Sequence, residues 1–279
     1  MDTTVDAAPP PRIAFSTLAF PDATLAAAVR MGRSWGYHGI ELRLIDGELI
    51  DPSMTAAERA RVKRTLAGFP VAAVDSSIRL TGDDPGPGLR RFLELASDWE
   101  APLVRVFGGE LAADPLARQE QFRAAARVLV SCVPLARRLG VAIGVETHDD
   151  FSASSVVAEL LALADAEGAD PEWVGAVWDS HHPYRAGEQP VDVYANLGRR
   201  ILLAQVKDAR RLRGDDWRLV LLGEGEVPVR PMLGLLTAGG YRNWVSVEWE
   251  KRWHPEIDEP EIALPQYRRV LAEWMEDSP

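Results

Sequence analysis

The chain contains 279 residues, of which 47% are hydrophobic, so it can bury a full core as one (β/α)8 barrel or as two smaller domains. A formal net charge of −11 argues against nucleic acid and anionic membranes as partners, because clustered Lys and Arg bind phosphate groups. The single cysteine, Cys132, excludes both an intramolecular disulfide framework and a thiolate metal site.

The N-terminal segment MDTTVDAAPPPR lacks the basic and apolar regions of an export signal. Its three consecutive prolines favour an extended chain, so we predict a disordered tail over residues 1–12 and a folded domain over residues 13–279. No uninterrupted apolar run reaches the roughly 20 residues that a membrane helix requires. We therefore expect a soluble, cytoplasmic protein with no membrane partner.

Short β-type runs alternate with longer segments of helical period from Ile13 onward. The predicted strands are residues 13–20, 39–43, 71–77, 103–108, 141–147, 174–180, 201–208 and 244–250. Repeated βα units form either an open sheet or a closed barrel, and eight units favour closure. No G-x-G-x-x-G motif follows the first strand, which removes the phosphate site of a dinucleotide-binding sheet. The predicted fold class is α/β, a single-domain (β/α)8 TIM barrel.

Helix start signals follow several strands, because Asp and Ser side chains can accept hydrogen bonds from the free N–H groups of a first helical turn. The predicted N-caps are Asp22, Asp114 and Ser152. After the seventh strand, residues 209–227 are polar and include a Gly-Glu-Gly-Glu turn. We predict that this stretch forms a hairpin or flap over the barrel mouth.

Four late strands end in polar residues, and the active sites of (β/α)8 enzymes lie at these C-terminal strand ends. The four segments read GVETHDD, VWDSHHPY, AQVKDA and SVEWE. Because alternate residues of a strand point to opposite faces, the apolar neighbours of each polar residue indicate which side chains face the interior. This parity places five side chains inside the barrel: Glu146, Asp179, Gln205, Lys207 and Glu248.

The four inward oxygen donors, Glu146, Asp179, Gln205 and Glu248, predict a metal site. Three converging carboxylates repel each other unless their pKa values rise or a cation neutralises them, and Lys207 alone cannot do so. One divalent metal is the simpler solution. Oxygen donors favour Mn2+ first and Mg2+ next, with Co2+ and Zn2+ as further possibilities. Glu41 and Arg105, on earlier strands, are interpreted as an ion pair inside the barrel.

In this order the four segments resemble the xylose isomerase-like superfamily of sugar isomerases and epimerases, over nearly the whole chain. Metal ligands of that family are a Glu on strand five, an Asp in a D-x-x-H segment, a His or Gln before V-K-D, and a Glu on strand eight. The matching positions are Glu146, Asp179 with His182, Gln205 and Glu248. Gln205 replaces the commoner His, as in hydroxypyruvate isomerases and some 3-dehydroshikimate dehydratases. The segment WEKRWHPEIDEPEIALPQY is similar to a subgroup described as sugar phosphate isomerase/epimerase.

The resemblance implies a metal-dependent isomerase or epimerase that acts on a small sugar or polyhydroxy carbonyl compound through an enediolate. Glu146 and Glu248 would be its catalytic acid and base. The predicted substrate-binding residues are His148, His182, Lys207 and Trp253. Of these, Trp253 could form an aromatic wall for a sugar. Because relatives are often dimers or tetramers, a homo-oligomer is also expected.

Three alternative functions follow from the same pattern. A dehydratase or lyase of the 3-dehydroshikimate or inosose type would use the same ligands, with β-elimination of hydroxide in place of reprotonation. Apurinic endonucleases share the barrel, but their trinuclear zinc site resembles a richer set of histidines and acids than five histidines supply. A non-catalytic sugar sensor is hard to reconcile with a complete ligand set.

Overall fold

A computed structural model describes residues 11–214 and 216–276 of the chain. Residues 1–10 of the predicted tail lie outside the described residues, and the first strand begins at Arg12, one residue before the predicted start of the domain. The strands are β1 (Arg12–Ser16), β2 (Gly39–Leu42), β3 (Leu44–Ile45), β4 (Glu48–Leu49), β5 (Val71–Arg79), β6 (Leu103–Phe107), β7 (Ala142–Glu146), β8 (Val174–Asp179), β9 (Ile201–Val206), β10 (Asp208–Arg211), β11 (Trp217–Val220) and β12 (Trp244–Val247).

Helices connect the barrel strands and cover them on the outside. The α-helices are α1 (Leu25–Ser34), α2 (Ala56–Leu66), α3 (Pro85–Asp98), α4 (Pro115–Leu139), α5 (Ser154–Ala166), α6 (His181–Arg185), α7 (Pro190–Leu197), α8 (Val229–Ala238) and α9 (Pro260–Glu276). Short 3-10 helices span Thr17–Ala19, Asp149–Phe151 and Gly198–Arg200. Among the described residues, no helix combines the length and apolar character needed to cross a bilayer.

Eight parallel strands close into a barrel in the order β1-β12-β9-β8-β7-β6-β5-β2. They coincide with the eight predicted strands, and the single-domain (β/α)8 TIM barrel is confirmed. The first strand is shorter than predicted, because Ser16 Oγ accepts a hydrogen bond from Leu18 N and the chain turns into a 3-10 helix there.

One of the three predicted helix caps is confirmed. Asp114 Oδ1 accepts a hydrogen bond from Ala117 N at the start of α4. Asp22 is not a cap, because Thr24 occupies that position before α1. The prediction for Ser152 is also wrong, because its hydroxyl donates to the Asp149 carbonyl and α5 begins two residues later.

The N-terminal end of the barrel is filled by a small interior core built around Trp244. Alternate residues of the strands reach this core, and the members that face Trp244 are small or aliphatic, including Ala14, Ala73 and Leu203. The guanidinium of Arg12 lies 3.9 Å from the centroid of the Trp244 ring. The barrel is therefore packed at this end, and its opening lies at the C-terminal strand ends.

Gly39 leaves the space that Trp244 occupies, and we expect Gly39→Ala to destabilise the barrel. A Cβ at this position would lie 2.6 Å from Trp244 Cη2 and 2.7 Å from the Pro70 carbonyl oxygen, so the backbone itself would have to shift. Overpacking of this kind costs about 1–3 kcal/mol, measured as a lower urea midpoint at unchanged slope. The matched control is Gly234→Ala in α8, where no atom lies within 4 Å and a gain of about 0.5–1 kcal/mol is expected. Equal stability of the two variants would contradict this account.

The predicted flap over residues 209–227 is an antiparallel hairpin of β10 and β11, with Arg211 opposite Trp217. Asp208 anchors the segment that follows the hairpin, because its carboxylate accepts hydrogen bonds from Gly223 N at 2.8 Å and Gly225 N at 2.9 Å. A Cβ on Gly225 would lie 2.1 Å from Asp208 Oδ1, so only glycine lets the turn approach this closely. The anchor holds the hairpin at the open end of the barrel.

Candidate metal centre and active site

The four predicted metal ligands lie at the ends of neighbouring strands. Asp179 and Gln205 are register partners across β8 and β9, Gln205 is next paired with Ser246 of β12, and Glu248 directly follows that strand. Glu146 ends β7, beside β8. One oxygen each from Glu146, Asp179 and Glu248 lies within 4.8 Å of the other two. The amide nitrogen of Gln205 is 3.3 Å from Glu248 Oε1, so the structure brings all four residues together.

Two buried cations lie among these acids. Arg105 Nε is 2.9 Å from Glu146 Oε2, while Lys207 Nζ is 2.6 Å from Glu248 Oε2 and 3.0 Å from Asp179 Oδ2 and also contacts Glu250. The interpretation of Arg105 as a partner of Glu41 is therefore wrong. Arg105 lies on β6 with its inward neighbours on β5 and β7, and it pairs with Asp75 and Glu146.

The buried cations that the structure describes are too few to neutralise the buried carboxylates at this end of the barrel. Among the described residues, five buried carboxylates face this end of the barrel: Glu41, Asp75, Glu146, Asp179 and Glu248. The buried cations among them, within the described part of the chain, are Arg43, Arg105 and Lys207. Full ionisation would leave an excess of two negative charges in a region shielded from water. Such an excess is unfavourable unless some carboxyls keep a proton or a divalent cation neutralises them.

The pKa values of the three acids differ because their neighbours differ. Burial raises the pKa of Glu146 to about 7, although Arg105 opposes the shift. Burial also raises the pKa of Asp179 against the opposing effect of Lys207. Burial alone would raise the pKa of Glu248, but Lys207 and Arg105 hold it below its ordinary value. Without a cation, Glu146 is therefore partly protonated near neutral pH, whereas Glu248 is ionised. Burial and the neighbouring Asp75 raise the pKa of Glu41 as well.

Three of the predicted ligands carry a buried oxygen for which the described residues supply no hydrogen bond: Glu146 Oε2, Asp179 Oδ2 and Gln205 Oε1. The first two are ion-paired with Arg105 Nε and Lys207 Nζ, whereas Gln205 Oε1 has no such contact among the described residues. Buried acceptors in folded proteins are normally satisfied, so the Gln205 oxygen, which lies among these carboxylates, needs another partner. The donor set consists of oxygen atoms, which suits a hard divalent cation such as Mn2+ or Mg2+. The residues present therefore fit the predicted metal.

Two histidines extend the site toward solvent. His148 and His182 lie with ring centroids 4.3 Å apart, and one nitrogen of each is within 4.8 Å of a Glu146 oxygen. Asp149 Oδ1 lies 2.8 Å from His148 Nδ1. Asp179 Oδ1 accepts hydrogen bonds from the backbone N–H of His182 and of the residue before it, which orients the carboxylate and leaves Oδ2 facing the cluster.

A cavity of about 710 Å3 opens beside these histidines. Its lining includes His148, His182, Tyr184, Arg185, Trp217 and Glu226. This volume is in the range of small-molecule binding sites. Trp253 is not among the described residues that line the cavity, and its side chain is 49% exposed in the loop after β12. Lys207 is 1% exposed, and its ammonium is held by carboxylates.

Sequence reasoning missed three residues that shape this site. Asp75 and Arg43 contribute charges to the interior, and Trp217 brings the hairpin to the cavity wall. Asp75 ends the run Val-Ala-Ala-Val-Asp, so its position at the end of a predicted strand was a signal, although both faces of that strand carry Ala and Val and parity is weak. No comparable signal existed for Trp217, because the position of a hairpin depends on contacts made far along the chain.

The chain matches a known protein family over most of its length. The family model described as xylose isomerase-like TIM barrel matches residues 29–276. The chain belongs to this family. None of the curated proteins matches it.

Several solved structures share the fold of this xylose isomerase-like barrel. An L-ribulose 3-epimerase superposes with a TM-score of 0.74 at 15% identity, covering 96% of this chain and 95% of that one. The IOLI protein with a bound zinc atom gives 0.78 at 15% identity, with 96% and 99% covered. The probable 3-DHS dehydratase AsbF from Bacillus anthracis gives 0.70 at 17% identity, with 94% and 98% covered. Identities this low establish a shared fold and leave the reaction to be argued from the site.

Proposed function

We propose that this protein is a metal-dependent isomerase or epimerase of a small polyhydroxylated carbonyl compound. One divalent cation would be held by Glu146, Asp179, Gln205 and Glu248. The observation that carries the proposal is the convergence of three buried carboxylates and an unsatisfied amide oxygen on one point, with too little positive charge around them. The epimerases among the structural neighbours are consistent with this reading.

A bound cation would supply Lewis-acid polarisation of the substrate carbonyl and of an adjacent hydroxyl. The chain itself would move the proton. Glu248, ionised by Lys207 and Arg105, is suited to accept the proton from the carbon next to the carbonyl, and Glu146 is suited to be the second proton carrier. Unequal environments for two carboxyls are the usual arrangement for acid and base roles.

The histidines would orient the substrate. Burial and the charge of Lys207 lower the pKa of His182 well below its ordinary value, so its ring is neutral, and its Nε2 has no hydrogen-bond partner among the described residues. It can therefore meet a substrate hydroxyl directly. His148, held by Asp149, lines the same cavity. We propose that Lys207 acts mainly through its ion pairs with Asp179, Glu248 and Glu250. Trp253 would contact substrate only if the loop after β12 lies over the barrel mouth.

Two observations favour a dehydratase as the second candidate. The barrel superposes on a probable 3-DHS dehydratase. In addition, Gln205 occupies the ligand position at which His is the commoner residue in the xylose isomerase-like superfamily that these segments resemble. In that reaction the same proton would leave, and hydroxide would then be lost from the β-carbon. The metal could also differ from Mn2+, since a similar structure holds zinc and histidine nitrogens lie beside Glu146.

Proton NMR in D2O would test the proposal. The protein, loaded with Mn2+, would be incubated with ketopentoses, ketohexoses, an inosose and 3-dehydroshikimate, and the paramagnetic metal would be removed by chelation and filtration before the spectra are recorded. We expect one substrate to exchange its α-proton for deuterium and to form an isomer or epimer. A new vinyl signal with loss of water would assign the dehydratase instead. Failure to bind any divalent metal, with no exchange in any substrate, would contradict both. Cytoplasmic location, homo-oligomeric assembly and the absence of nucleic-acid partners stay predictions.

A further inference from the structure

The amide of Gln205 has a fixed orientation. Its Nε2 donates to Glu41 Oε1 at 2.7 Å and to Glu248 Oε1 at 3.3 Å, and all three side chains are buried. Both neighbours present an acceptor oxygen, and Glu41, whose pKa is raised by burial, does so whether ionised or protonated. The nitrogen, which carries two donor hydrogens, therefore faces them. The oxygen is thereby turned to the other side, where it has no partner among the described residues.

This orientation matters because a glutamine is an ambiguous ligand. Its oxygen can bind a hard cation, whereas its amide N–H groups repel one. A rotation of the terminal amide by half a turn would exchange the two atoms and abolish the ligand. Glu41 makes the shorter of the two contacts that oppose this rotation.

Glu41 reaches Gln205 from the far side of the barrel. The residues lie on β2 and β9, which are separated by β1 and β12 in the closed sheet. The inward positions between them, Ser16 and Ser246, are small and leave a path for the longer side chains. Glu41 is outside the group of Glu146, Asp179 and Glu248 whose oxygens lie within 4.8 Å of one another.

We infer that Glu41 is a positioning residue that holds the Gln205 amide with its oxygen toward the cation. The inference rests on the proposed function, because it assumes that Gln205 is a ligand. Outer partners that orient metal ligands typically contribute 10–100-fold to metal affinity. Loss of the Glu41 acceptor should therefore weaken metal binding even though Glu41 lies outside the proposed ligand set.

Isothermal titration with Mn2+ on the full chain would test this role. We expect Glu41→Leu and Glu41→Met, which lack a strong acceptor, to raise the Kd about 10–100-fold. Glu41→Gln should stay within about 3-fold of wild type, because its oxygen can still accept from Gln205 while its nitrogen turns to the neighbouring Asp75 carboxylate. Asp75→Asn removes one interior negative charge from a residue that interacts with Glu41 and Arg105, so it measures how much affinity is lost with an interior charge when Glu41 itself is retained.

A double-mutant cycle gives a second measurement. If Glu41 acts through Gln205, Glu41→Met should cost no further affinity in a Gln205→Ala background. Melting curves and far-UV circular dichroism would show that each variant is folded. If the apolar variants are unstable, Glu41→Asp, which keeps the charge but shortens the side chain that reaches Gln205, replaces Glu41→Met in the titration and in the cycle. Equal weakening in Glu41→Gln, Glu41→Met and Asp75→Asn would overturn the inference in favour of a charge effect, and unchanged affinity in Glu41→Met would overturn it outright. A wild-type chain that binds no divalent metal would instead overturn the proposed function as well.

Discussion

Glu248→Gln is expected to lower turnover by at least about 100-fold while the barrel stays folded, since general acid–base groups typically contribute 100- to 10,000-fold. The substitution keeps the shape of the side chain and removes the ionised carboxylate that Lys207 and Arg105 stabilise. The measurement is the rate of α-proton exchange with solvent, followed by NMR on the substrate found in the screen. Metal content would be measured in parallel, because Glu248 is also a proposed ligand.

The control for this prediction is Glu261→Gln, which makes the same chemical change at an exposed position in α9. It should leave the exchange rate and the metal content unchanged. Full activity in Glu248→Gln would exclude the proposed scheme. A variant that binds metal normally but exchanges no proton would separate the proton-transfer role of Glu248 from its role as a ligand.

Adding Mn2+ at about 100 times its Kd is expected to stabilise the wild-type protein by about 2.7 kcal/mol, because a ligand that binds only the folded state shifts the unfolding equilibrium. For a chain of this size the melting temperature should rise by roughly 5–10 °C. Chelation with EDTA should reverse the rise and abolish proton exchange. The physical reason is the excess of buried carboxylates, which the cation neutralises.

Asp179→Asn should remove most of this thermal shift, since Asp179 is one of the three carboxylates whose oxygens lie within 4.8 Å of one another. Asp22→Asn provides the matched control, because it makes the same chemical change at an exposed position before α1, outside the barrel interior. Its thermal shift with Mn2+ should resemble that of wild type. A wild-type melting temperature that does not respond to Mn2+, Mg2+, Co2+ or Zn2+ would contradict the metal centre.

Parity along single strands was sufficient to place the proposed ligands inside the barrel. On β7, the small residues Ala142 and Gly144 share a face with Glu146, while bulky apolar residues occupy the other face. That contrast exists because the interior of a narrow barrel has room only for small residues next to a long polar one. For Asp75 the neighbours on both faces of β5 are Ala and Val, so the contrast is weak and the residue was missed.

The charge balance was harder to predict from sequence. Lys207 follows Gln205 on the same face of one strand and could be placed from that spacing. The pairing of Arg105 with Glu146 and Asp75 depends on which strands are neighbours and at what register, which a single strand does not encode. The same holds for Trp217, which reaches the cavity only because Asp208 anchors the segment beyond the hairpin.

By itself, then, the sequence determined the eight βα units and the side of each strand on which its polar residues lie. Both are local properties, set by hydrophobic period and by the alternation of side chains along an extended chain. Tertiary structure alone decided how the charges combine. Glu41 and Gln205 are 164 positions apart, and they meet only because β1 and β12 pair and close the barrel. That closure brings buried acids, cations and an amide within contact distance, where burial and mutual charge decide which groups are ionised.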